Sequence, residues 1–190
     1  MRIEHKFKEH VIHPGTKRLI VGTFNPGQPG NDAEYFYGRS SSLFWSLLPN
    51  ALGVETSLPR SVEAWKAFHL LHHIDFMDMI AALDNVPERV GLAYKDEIVD
   101  RYAISCFCVG SLIDRHPDIM QVFFTRSTFD RKVIPVIHGV AMDISKRTKA
   151  RGGRCYGLLS PADYDAPWTK RRPAQWRKAL TGQLSPLELH

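Results

Sequence analysis

Asn25-Pro26-Gly27 stands just after an apolar run, Leu19-Ile20-Val21-Gly22, and is followed by three consecutive aromatics, Tyr35, Phe36 and Tyr37. An amide at the end of a strand, a glycine beside it and an aromatic shelf behind it suit a flat polar ring such as a nucleobase. Asn-Pro-Gly is also ordinary turn chemistry, so the assignment depends on the rest of the chain. Three consecutive aromatics cannot all face inward, so at least one belongs at a surface or in a pocket. Phe44 and Trp45 read as core markers. His69, His72, His73 and Asp75 suggest a metal, since His69 and His73 are one helical turn apart. No HExxH pattern and no third ligand accompany them, so no metal is expected. Asp78 reads as a brace or cap for a turn rather than as a base, and His138 as structural.

These residues need elements to position them. Residues 18–22 read as a strand. Residues 41–48 start a helix, with serines available as N-caps. Residues 61–72 form a second helix capped by Ser61, with Val62, Trp65, Phe68 and Leu71 on one face. A third covers 92–102, with Ile98, Val99 and Tyr102 inward. The run 103–110 (AISCFCVG) reads as a central parallel strand, 120–125 as another and 154–159 as a third. Residues 132–139 are ambiguous, because Pro135 argues against an interior strand. The tail from Pro173 to Leu180 reads as a helix facing Trp176, Ala179 and Leu180 inward. Alternating strands and helices imply a three-layer α/β/α domain with a mainly parallel central sheet. Ligands of such folds bind outside the carboxyl ends of the strands. Asn25 and Ser160, 135 positions apart, should therefore meet in one crevice.

At 190 residues, 44% hydrophobic and 24% charged, the chain reads as a single globular domain, 1–190. No apolar run approaches the ~18 residues of a membrane span, and no signal peptide is visible. A cytoplasmic monomer is expected, associated with the nucleoid if the source is bacterial. Cys106, Cys108 and Cys155 carry no metal-ligand spacing and read as reduced core thiols. The net charge is +5, and basic residues concentrate between Lys146 and Lys178, including Lys170, Arg171 and Arg172. Such a segment suits a polyanion; a solvated surface is the alternative reading. Arg39 and Arg126 read equally well as DNA contacts or as ordinary surface.

Gly22-Thr23-Phe24-Asn25-Pro26-Gly27 resembles the first motif of the uracil-DNA glycosylase superfamily, closest to its mismatch-specific uracil and hypoxanthine branch. One extra residue lies between Gly22 and Asn25. The 19-residue step from Asn25 to Phe44-Trp45 matches that branch. Ile74 to Ile80 resembles a segment of the hypoxanthine-type enzymes, and Leu158-Leu159-Ser160-Pro161-Ala162 resembles the second motif.

The resemblance implies a cofactor-independent, monofunctional DNA glycosylase of base excision repair. Its partner would be DNA carrying a damaged or mismatched base, flipped out of the stack. By that resemblance Asn25 positions the water, Gly27 leaves clearance beside the base and Tyr37 stacks on it. Backbone N–H groups around Phe24 and Gly27 bind its carbonyls. Ser160 and Pro161 grip phosphate, and Ala162 to Tyr164 enter the minor groove. The chain departs from the pattern at Ser42, where the hypoxanthine branch has Asn. It also has Leu158 and Leu159 where many relatives carry a His or Asn that stabilises the leaving base. The alternative implied is a nucleic-acid or nucleotide binding module on the same fold, weak or inactive in catalysis.

Overall fold

A computed structural model of the chain describes residues 1–54, 58–87, 99, 101–126, 129, 134–161 and 171–189, the side chain of Ala103 excepted. Four parallel strands form the central sheet in the order β3-β2-β6-β7: β2 is Arg18–Gly22, β3 Ile74–Asp78, β6 Gln121–Phe124 and β7 Arg154–Gly157. A smaller antiparallel sheet joins β1 (Ile3–Glu4), β4 (Ile80–Asp84) and β5 (Ala103–Cys106) in the order β1-β4-β5. Met79 alone separates β3 from β4. The chain therefore leaves the parallel sheet at Asp78 and enters the small sheet at once. Met79 and Ile80 donate to the carbonyls of Gly22 and Thr23 across the junction.

Alternation along the strands builds two cores. Ile20, Phe76, Phe123 and Tyr156 face α1 (Phe44–Ala51), α2 (Val62–Leu71) and α5 (Arg171–Leu180), meeting Phe44, Trp45, Trp65, Phe68 and Trp176. Leu19, Val21, Met77, Val122, Phe124 and Cys155 face α3 (Val109–Arg115) and α4 (Pro135–Ala150), meeting Ile113, Ile137, Ala141 and Ile144. Buried on both faces, β2 and β6 are nearly continuous in apolar residues, as is usual for parallel strands, whereas β3 carries two buried aspartates. The result is the expected three-layer α/β/α arrangement. Among the described residues no helix is long and apolar enough to cross a membrane.

Several elements differ from the sequence reading. Residues 103–106 are not a central parallel strand; they pair antiparallel with β4. The run ends there, and Val109 opens α3. A short apolar run carries no period that separates strand from helix. Gly110 is where α3 closes on α4, since a Cβ there would overlap the Asp143 carboxylate. Pro135, ambiguous in sequence, begins α4 at the position where its missing N–H costs nothing. Ser61 caps α2 as expected, accepting from Ala64 N–H at 3.2 Å. Leu71, however, is 75% exposed, and His69 takes the inward place. The N-cap position of α1 is Leu43, and the serine contact comes from one residue earlier, where Ser42 Oγ accepts from Phe44 N–H at 3.3 Å. Cys108 is exposed rather than core. The helix read over 92–102 lies outside the described residues, except that Val99 is buried and Tyr102 packs on the core.

Candidate active site

β2 lies inside the sheet between β3 and β6, and all four parallel strands end on the same side. Their carboxyl ends open into one cavity of about 260 Å³, and each contributes to its wall. β2 brings Gly22, Thr23, Phe24 and Asn25; β3 brings Asp78; β6 is followed at once by Thr125; β7 leads to Ser160 and Pro161. Phe36, Tyr37, Arg39, Ser41 and Ser42 close the remaining side. The cavity is thus where an open α/β sheet binds its ligand.

Asn25 is held on every side. Its carbonyl accepts from Lys6 N–H at 2.8 Å, Gly27 N–H donates to Glu4 O at 2.7 Å, and His5 forms a bridge with Pro26. The amino-terminal segment thereby becomes one wall of the Asn25 turn. Asn31 Nδ2 donates to Asn25 Oδ1 at 2.6 Å and to Pro26 O at 2.7 Å. Ala33 N–H and Arg39 Nε both donate to Asn31 Oδ1. Two fixed donors therefore set the Asn31 amide, and Asn31 in turn sets Asn25. The Asn25 side chain keeps its Nδ2 and one lone pair of Oδ1 for a ligand.

Tyr37 lies parallel to Phe44 with ring centroids 4.1 Å apart, and its hydroxyl lies 3.1 Å from Thr125 Oγ1. Its φ of 55° falls in the left-handed region. That strain, about 1–3 kcal/mol for a residue with a side chain, concentrates at functional sites. One ring face of Tyr37 lies on Phe44, and the residue borders the cavity.

Asp78 belongs to the site, not to a turn. It is 5% exposed, lines the cavity, and its Oδ2 accepts from His5 Nε2 at 2.7 Å. Gly22 makes room for it: a Cβ there would overlap Asp78 Oδ1 and sit 2.8 Å from the Tyr37 hydroxyl.

Other expected residues lie elsewhere. Gly27 does not line the cavity. Its Cα faces the amino-terminal segment, where a Cβ would meet Glu4 O at 2.9 Å, and its N–H is spent on that same carbonyl. It therefore gives neither base clearance nor a free donor. Arg172 is 3% exposed and lines a separate pocket with Leu43, Leu47 and Asn50 of the α1 region, too buried to grip a backbone. Arg171 is exposed on the first turn of α5. Ala162, Tyr164 and Lys170 lie outside the described residues. Arg126 is buried, not surface. Leu158 is buried in the core, so position 158 brings no polar group to the cavity.

Ser160 is carried by a segment that α5 pins. Gln175 bonds both Gly157 O and Leu159 N–H, and Trp176 Nε1 donates to Leu159 O at 2.9 Å. His69 places both ring nitrogens in hydrogen bonds, to Tyr35 and Ile74 O. Burial holds its pKa below the ordinary imidazole value. Among the described residues no group of three metal-ligating side chains occurs.

The sequence reading missed Thr23, Thr125, Asn31 and His5, and did not place Asp78 at the cavity. Position just past a strand end was the available signal for Thr23 and Thr125; Asp78 ends β3, whose two aspartates hide the strand in the sequence. None marked His5 or Asn31, which act through the fold.

The chain has a uracil-DNA glycosylase-like α/β/α fold. No protein-family model matches the sequence, and no curated protein does. The chain is similar in structure to a putative uracil DNA glycosylase from Methanosarcina acetivorans, solved by NMR. The likeness has a TM-score of 0.56 and 16% identity, and covers 90% of this chain and 93% of that one.

Proposed function

We propose that this protein is a DNA glycosylase that hydrolyses the N-glycosidic bond of a deaminated base, uracil or hypoxanthine, in DNA. The observation that carries this reading is the shared cavity: four strand ends bring Asn25, Asp78, Thr125 and Ser160 together beside Tyr37. A base inside a duplex is out of reach, so the nucleotide is extruded into the cavity at a cost of a few kcal/mol. Tyr37 stacks on the flipped ring, and Asn25 Nδ2 donates to the attacking water. The water oxygen bonds to C1′ of the sugar, and the C1′–N electron pair leaves with the base. Stabilising that departing charge is the main electrostatic task. Ser160, at the mouth, meets a phosphate. The chemistry requires no metal and no organic cofactor.

The test is release of free base, read as alkali-labile sites in single- and double-stranded DNA carrying deoxyuridine or deoxyinosine. If none of these substrates is cut, the enzyme reading fails. Buried Leu158 favours a second reading, a DNA-binding module without catalysis, because no side chain at that position can stabilise the leaving base. Asn25→Ala separates the two. A catalyst loses turnover and keeps DNA binding, whereas a pure binder has no turnover to lose.

A further inference from the structure

We infer that Asp78 is the general base of this site, with His5 as its positioning residue. The inference rests on the glycosylase reading. Attack by water releases a proton, and some group must take it. Of the described residues around the cavity, Asn25 presents an amide, Arg39 a guanidinium, and Thr23, Ser41, Ser42, Thr125 and Ser160 hydroxyls. None of these accepts a proton near neutral pH. Asp78 supplies the carboxylate.

Its geometry fits the task. Phe7 N–H donates to His5 Nδ1 at 3.1 Å, so Nδ1 is an acceptor and the ring hydrogen sits on Nε2. A neutral imidazole therefore donates to Asp78 Oδ2 at 2.7 Å. His5 cannot swing away: it is 2% exposed, its N–H donates to Ala81 O, and the rings of Phe24, Phe36 and Phe107 surround it. This fixes one carboxylate oxygen and leaves the other, Oδ1, above Gly22 at the cavity wall.

Asp75, three residues earlier on β3, is the internal control. His10 Nε2 and Phe76 N–H donate to its Oδ1, and His13 N–H to its Oδ2. That is a carboxylate used up in holding the chain. Among the described residues no hydrogen bond is formed to Asp78 Oδ1. A purely structural Asp78 would need neither a place in the cavity wall nor a glycine opposite it. In the reaction the water oxygen bonds C1′, the C1′–N pair leaves on the base, and the water proton passes to Asp78 Oδ1. That proton then goes to the departing base or to solvent.

The test is single-turnover base release by wild type and Asp78→Asn, with binding to abasic-site DNA measured beside it. Asparagine keeps the shape and can still accept from His5, but it cannot hold the proton. The rate should fall about 10²–10⁴-fold, with abasic-DNA affinity and Tm close to wild type. A rate within about tenfold of wild type overturns the role, and so does a change in base preference without loss of rate, which would make Asp78 a reader of the base edge. If Asp78→Asn does not fold, His5→Phe removes the positioning bond and leaves the carboxylate. A rate loss of about tenfold or more with unchanged product binding then supports the role, and an unchanged rate overturns it. If wild type releases no base, the glycosylase reading falls and takes this one with it. If wild type is active and Asp78→Asn keeps pace, the role of Asp78 falls alone.

Discussion

The 2.6 Å contact from Asn31 Nδ2 to Asn25 Oδ1 decides which end of the Asn25 amide is left for a ligand. Asn31 is locked in turn by Ala33 N–H and Arg39 Nε, so the site carries a three-residue chain of command from Arg39 through Asn31 to Asn25.

Asn31→Ala should therefore damage turnover without touching a ligand-facing group. An unclamped amide samples both flips, and loss of alignment of this kind costs up to about 10²-fold in rate. Asn31→Asp should be worse, because a carboxylate facing Asn25 Oδ1 drives the amide to turn over. Single-turnover rates of the two variants, with thermal melts to exclude unfolding, check the order.

Gly22→Ala tests the packing of the site. The added methyl would overlap Asp78 Oδ1 and press on the Tyr37 hydroxyl. Overpacking of this kind costs about 1–3 kcal/mol. The Asp78 carboxylate is the part displaced, so base release should fall far more than the melting temperature. Gly53→Ala is a useful contrast. It has open space around its Cα but a φ of 79°, so it should lose stability and keep activity.

The sequence revealed the frame of the site better than its working parts. β2, β6, β7 and α5 were legible because a buried parallel strand and an amphipathic helix leave a pattern of apolar residues. Asn25 and Ser160 followed from strand ends, and Tyr37 from the resemblance of its stretch to a known family. Asp78 was misread because β3 was not recognised: two aspartates within Ile74–Asp78 hide a strand that is buried along its whole length. Those aspartates are tolerated because His5 and His10 come from a segment some seventy positions away to meet them. A pairing between remote polar residues leaves no period in either segment. Gly27 misled in the other direction, since its motif position suggested the ligand and its real neighbour is the backbone at Glu4.

Acid should loosen the amino-terminal segment through Asp75. Burial alone would raise the pKa of this carboxyl. The hydrogen bond from His10, those from His13 N–H and Phe76 N–H, and the charge of His10 outweigh burial and hold it below the ordinary value of 3.8. A carboxyl lowered in the folded state gives stability that is complete above its unfolded pKa and is lost as pH falls through the folded one. The melting temperature of wild type should therefore drop as pH falls below about 4, the unfolded value. Asp75→Asn should start lower and show a shallower drop.

The salt dependence of DNA binding should depend on the basic residues at the crevice, not on the basic stretch as a whole. On α4 and at its end, Arg147 pairs with Asp143 and Asp114, Arg151 pairs with Asp114, and Lys149 pairs with Glu188. These cations are largely neutralised within the chain, and α4 covers a face of the sheet while the cavity opens at the strand ends. Arg39 stands in the cavity wall itself. Each phosphate neutralised on a duplex adds about 0.9 to the slope of log affinity against log salt. Arg39→Ala should therefore weaken binding and flatten that slope by about one contact, whereas Arg151→Ala should leave the slope unchanged. A titration of both variants on one duplex across a range of salt concentrations decides it. Equal slopes for Arg39→Ala and wild type would place the phosphate contacts away from the crevice mouth.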